Sequence, residues 1–182
     1  MPSPDSTRFL SSETLVSHKW HRYCRDEFRQ KDGSVGEYFH IDIAGACGTI
    51  PLFEDGTTIL LQVYRYLLNE TLWEFPIGGM VPGDNPLDVA RRELQEEAGL
   101  VANEWQCLGH FAPYTGVSNE VDYFYVAKDL TWTEQSLEPS EEITVHRMPF
   151  DEARRRLMDQ PMIDGQSVVG LALFDQSFRN GV

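Results

Sequence analysis

The sequence predicts an α/β fold with strands crowded into its first half, one well-capped helix near the middle and two helices at the end. Three observations carry that reading. Runs rich in aromatic and β-branched residues, Trp20 to Arg29, Val35 to Asp42, Gly45 to Phe53 and Thr57 to Tyr66, are parted by turn signals at Lys31-Asp32-Gly33 and Glu54-Asp55-Gly56. A segment from Asn85 to Gly99 carries the start and stop signals of a helix. Asp151 to Asp159 and Gln166 to Phe174 then show helical patterning.

Taken in order, residues 1–16 are polar, contain two prolines and are expected to be poorly ordered. Residues 17–44 hold the N-terminal strands, and 45–182 form the main domain. In the central helix Asn85 is a good N-cap, Pro86 suits the first helical position, Asp88 favours the positive end, and Gly99 supplies the stop. Further strands are expected at Trp105 to Ala112, Val121 to Lys128 and, briefly, Val145 to Pro149. A chain of 182 residues with 41% hydrophobic content is long enough to bury one sizeable core.

The central helix also carries the chemistry. Leu87, Ala90, Leu94 and Ala98 fall on one stripe, while Glu93, Glu96 and Glu97 gather on another side within about one turn. Like charges at that spacing repel by a few tenths of a kcal/mol per pair, a penalty that a divalent cation reverses. Hard oxygen ligands suit Mg²⁺ or Mn²⁺. Arg92 pairs with Glu96 at i,i+4 and steadies the acidic face.

The spacing of Gly78, five residues, Asp84, seven residues, then Arg92-Glu93-Leu94-x-Glu96-Glu97-x-Gly99-Leu100 resembles the Nudix box. The one departure is Asp84, where the family pattern has Glu. The resemblance runs from about Tyr23 to the last helix. Leu61 to Tyr66, Leu72 to Gly79, Gly116 to Glu120 and Glu138 to Val145 look like the branch that cleaves ADP-ribose and other nucleoside diphosphate sugars.

That resemblance implies an α/β/α sandwich with a mixed sheet, preceded by a small N-terminal antiparallel sheet. It also implies Mg²⁺, with Mn²⁺ as an alternative, on Glu93, Glu96, Glu97 and the Ile77 carbonyl. Glu141 or Glu142 is implied as the general base, with Arg92 and Glu96 assisting, and Glu141 is preferred. Substrate contacts are expected from Arg65, Glu74, Gly78, Gly79, Ser118 and Glu120. In related enzymes the N-terminal sheet forms a homodimer and contacts the base, which nominates Tyr23, Phe28, Tyr38 and Phe39 for stacking. Thr115 stands where ADP-ribose enzymes carry Pro, so ADP-ribose, GDP-mannose and ADP-glucose all stay open as the nucleotide-sugar substrate. The alternatives are a Nudix pyrophosphatase for another nucleotide, such as a dinucleotide cofactor, and a non-catalytic nucleotide-sugar sensor.

Other classes are disfavoured. A net charge of −14 opposes nucleic-acid binding, which draws on Lys and Arg contacts to phosphate, and it leaves a pyrophosphate to be received by local cations, Arg65 foremost. No apolar run is long enough to span a bilayer and no signal peptide opens the chain, so no membrane partner and a cytoplasmic location are expected. Cys24, Cys47 and Cys107 lack disulfide or zinc spacing, and His18, His21, His40, His110 and His146 show neither metal spacing nor a linked nucleophile.

Overall fold

The computed structural model describes residues 7–179. Its first three strands, β1 (Phe9–Ser17), β2 (His21–Arg29) and β3 (Val35–Ile43), make an antiparallel sheet in that order. After Ala44 and Gly45 the chain enters the main body. There follow β4 (Ala46–Pro51), β5 (Thr57–Arg65), β6 (Glu70–Glu74), β7 (Ile77–Gly79), α1 (Pro86–Ala98), β8 (Leu100–Phe111), β9 (Asp122–Trp132), β10 (Ile143–Pro149), α2 (Phe150–Asp159) and α3 (Gly165–Arg179).

Two sheets fill the centre of this body. One runs β7-β4-β9-β8 and is mixed, because β4 and β9 are parallel while the other pairs are antiparallel. The other, β10-β5-β6, is antiparallel. The pleat of β5 sends Ile59, Leu61 and Val63 toward Leu94 and Ala98 of α1, and Leu60 the opposite way toward Leu157 of α2 and Leu171 of α3. A strand buried on both faces reads as a continuous apolar run, as Ile59-Leu60-Leu61 does. With α1 on one side and α2 and α3 on the other, the body is an α/β/α sandwich.

The central helix forms where its signals place it. The Asn85 side chain accepts from the backbone N–H groups of Leu87 and Asp88, and Gly99 closes the helix in the left-handed conformation at φ 64°. The strands differ from expectation in three ways. Phe9–Ser17, all but its last residue within the stretch expected to be poorly ordered, is a strand. Its residues are all exposed, so their order comes from pairing along β2 and from cross-strand charges, with Arg25 joining Glu13 and Glu37. Residues 1–6, with both prolines, lie outside the described residues. β6 and β7 carry too few residues to show a pattern and are held by their pairing with β5 and β4. β8 and β9 extend beyond their predicted spans because their outer ends pair with each other, Leu100 opposite Trp132.

Asn85→Ala removes the acceptor for two helix N–H groups and is expected to cost about 1 kcal/mol of stability in urea unfolding while leaving the fold intact. An unchanged midpoint would mean that water replaces the cap at no cost.

Candidate active site

The site is assembled where β7 passes under α1. Gly78 pairs with Cys47 of β4, and a Cβ placed on Gly78 would lie 1.8 Å from the carboxyl carbon of Glu93. Only glycine leaves room for that side chain. Glu97 is 7% exposed, and its Oε2 accepts the Ile77 backbone N–H at 2.9 Å. Glu97 is therefore turned inward and does not share an open acidic face with Glu96, which stays partly exposed. Arg92 donates to Glu93 at 2.7 Å, and its Nε lies 3.6 Å from Glu96, so the expected i,i+4 pair forms alongside a second one. Asp84 accepts the Val81 N–H at 2.9 Å and so holds the loop ahead of the helix.

Burial and like charge act together on this pair. The Glu97 carboxyl is pushed well above its ordinary range, first by burial and then by the charge of Glu93, with the Ile77 N–H and Arg65 opposing the shift. Burial raises Glu93 as well, against the pull of Arg92.

Arg65 stands at the end of β5 beside them. Its guanidinium grips both carboxylate oxygens of Glu74, with Nε at 2.7 Å from Oε1. Glu74, expected as a substrate contact, is 1% exposed and holds Arg65. The strand end carrying Glu74 is fixed in turn by α3. Ser167 Oγ accepts the Phe75 N–H at 2.9 Å, while Asp164 accepts the Ser167 N–H at 2.7 Å as the cap of that helix.

The remaining candidates fall in two places. Glu141 accepts the Glu138 N–H at 2.7 Å, and its charge reaches both Glu93 and Glu97. Glu142 is exposed, and its carbonyl accepts the Tyr64 N–H at 3.1 Å. Phe28, Tyr38 and Ser118 meet away from the helix, lining a cavity of about 600 Å³ on the N-terminal sheet that no box residue lines. Glu120 is half-buried, its carboxyl raised by burial and then by Asp122. Three residues of this region were missed. Trp20 packs against Gly79, with its Cζ3 3.7 Å from where a Cβ would sit. Asp122, 2% exposed, joins β4 to α3 by accepting from the Ala46 N–H and the Gln166 amide, each at 2.8 Å. Asp164 acts through Ser167 as above. None of the three carries a local signal beyond its residue type.

Among the described residues no three acidic, histidine or cysteine side chains converge on one cation position. The donor set nonetheless fits a hard divalent cation. Glu97 is a buried oxygen donor whose cost of ionisation the charge of Glu93 raises, Glu93 is a partly buried one, and Gly78 leaves the space in which Glu93 lies.

Residues 44–165 match the family model for the NUDIX domain, and the chain belongs to that family. It is a hydrolase, and divalent metal ions are the general cofactors of such enzymes. An ADP-ribose pyrophosphatase from Mycobacterium tuberculosis is 30% identical over 165 residues, covering 89% of this chain and 80% of the relative. A methanol dehydrogenase activator from Bacillus methanolicus is 24% identical over 164 residues, covering 89% of each. The solved structure of an ADP compounds hydrolase shares the fold with a TM-score of 0.78 at 20% identity, covering 94% of both chains. Among the described residues no helix is long and apolar enough to cross a membrane.

Burial raises the Asp122 carboxyl above its ordinary 3.8, and the charge of Asp164 adds to this, so the folded protein holds that proton more tightly than the unfolded chain. Its stabilising contribution is then full below pH 3.8 and falls as pH rises through the raised folded value. Asp122→Asn keeps an acceptor for Ala46, and Gln166 can turn its carbonyl to the new amide. Urea unfolding across that window should show the variant gaining stability relative to wild type as pH rises, and a constant difference would rule out Asp122 as the titrating group.

Proposed function

We propose that this protein hydrolyses the pyrophosphate bond of a nucleoside diphosphate sugar, releasing a nucleoside monophosphate and a sugar phosphate. One observation carries the reading. Arg65 and the buried Glu97 lie close enough to bias each other's ionisation, so a cation for phosphate stands beside carboxylates suited to a divalent metal. ADP-ribose is the first choice, supported by the relative from M. tuberculosis, with GDP-mannose and ADP-glucose next.

Glu93 and Glu97, with Glu96 and the Ile77 carbonyl, would hold Mg²⁺, or Mn²⁺ in its place. Bound there, it would supply charge to screen the phosphates, to make a water more nucleophilic and to stabilise the leaving phosphate. Arg65, steadied by Glu74, offers positive charge to the substrate oxygens. Glu141 takes the proton of the attacking water as its oxygen bonds to one phosphorus, and the bridging oxygen departs with the other phosphate. Trp20 adds an aromatic surface beside Gly79 for the nucleotide, while Phe28 and Tyr38 serve the base from the N-terminal sheet of a homodimer. All three cysteines are free, which suits a reducing compartment such as the cytoplasm.

The test is monophosphate release from ADP-ribose, GDP-mannose, ADP-glucose, UDP-glucose and NADH, with Mg²⁺ and with chelator. Metal-dependent cleavage of one or more sugar nucleotides is expected, whereas binding without cleavage of any would favour a sensor. Glu97→Gln should abolish turnover and still melt as a folded protein, and a near-normal rate with Mg²⁺ would refute its role as a ligand. Glu141→Gln should lower kcat by about 100-fold or more, with Glu142→Gln close to wild type. The reverse order would move the base to Glu142.

A further inference from the structure

The segment that follows β9 crosses the C-terminal end of α1 and bonds to it at three points. Thr133 N–H donates to the Gly99 carbonyl at 2.8 Å, Ser136 N–H to Glu96 at 2.9 Å, and the Gln135 side-chain amide to Glu97 at 2.7 Å. These carbonyls belong to the turn that a helix leaves without internal partners. The approach is tight, since a Cβ on Gly99 would lie 3.0 Å from the Thr133 oxygen and 3.3 Å from the Gln135 nitrogen.

This helix end needs such help. Its last turn has no basic residue and carries Glu96 and Glu97, two negative charges at the negative end of the helix dipole. The same segment then runs straight into the Glu138–Glu142 loop, which closes on β5 through the Tyr64 N–H and Glu142 carbonyl. The loop bearing Glu141 is thus hung between the helix that carries Glu93 and Glu97 and the strand that carries Arg65.

We propose that Gln135 is a positioning residue. By donating to the Glu97 carbonyl it holds the last turn of α1 in register with the Glu141 loop, so that the metal-binding carboxylates and the general base keep one geometry. The proposal rests on the metal-dependent reading above, but it concerns a contact made by the chain itself.

Three variants separate donation from bulk. Gln135→Ala loses the donor. Gln135→Glu loses it and adds a third carboxylate at the negative helix end. Gln135→Lys restores a donor with a charge that the helix end favours. Mn²⁺ affinity, read by electron paramagnetic resonance without substrate, should weaken about 10-fold in the Ala variant, at least as much in the Glu variant, and little in the Lys variant. In turnover with Mg²⁺, kcat should fall in the same order while KM stays within about 2-fold, as expected for lost positioning rather than lost binding. Hydrogen exchange should quicken at the Ser136 amide and across 137–142 in the Ala and Glu variants, with thermal melts showing a folded protein. Wild-type behaviour of Gln135→Ala in metal affinity and loop exchange would overturn the proposal, as would a Lys variant that fails as fully as Ala. If the wild type binds no Mn²⁺, the metal reading falls, and the proposal then stands or falls on the exchange of the loop alone.

Discussion

The hydrogen bond from the Ile77 N–H to the Glu97 carboxylate organises this structure. It joins a strand of only three residues to a helix whose side chain would otherwise face a buried neighbour of like charge. A carboxylate taken out of water needs partners, and that of Glu97 finds a backbone donor in Ile77 and the nearby charge of Arg65. That contact ties β7 to α1 beside Gly78, over which Glu93 lies.

Much of the surrounding fold serves to keep that contact in place. Leu94 and Ala98 seat α1 on β5, Val89 and Ala90 seat it on Cys47 and Met80, and the N-cap at Asn85 sets its start. From the other side α3 reaches the end of β6 through Ser167, which fixes Glu74 and with it Arg65. The two helical layers therefore deliver different halves of one site: α1 the acidic half, and α3, through β6, the basic half.

How much of this was legible in the sequence follows from the range of each interaction. α1 was legible to the residue because its cap, proline and terminal glycine act within a few positions. β5 was legible because both of its faces are apolar. The order of Phe9–Ser17 was not, because it depends on pairing with β2 and not on its own composition. The helix stripe placed Glu97 with its exposed neighbours, yet Glu97 turns inward to a strand 20 residues earlier, a contact that no local periodicity contains. Glu74 is nominated by resemblance alone, and its hold on Arg65 is not legible because the two meet only once β5 and β6 pair. Gln135 carries no motif at all, and its part emerges only from the path of the chain across the helix end.

Charge accounting links the site to the whole molecule. The chain carries −14, and on the proposed reading a pyrophosphate would bring more negative charge to a site already holding Glu93, Glu97 and Glu141. The arginines at hand are committed, Arg65 to Glu74 and Arg92 to Glu93 and Glu96, so each offers the substrate only part of its charge. Glu93 and Glu97 repel each other and the substrate alike unless a cation stands between them. On the proposed reading, the groups that oppose an anion here are the ones that would admit it once a divalent ion is held between them, with Arg65 adding what positive charge Glu74 leaves it.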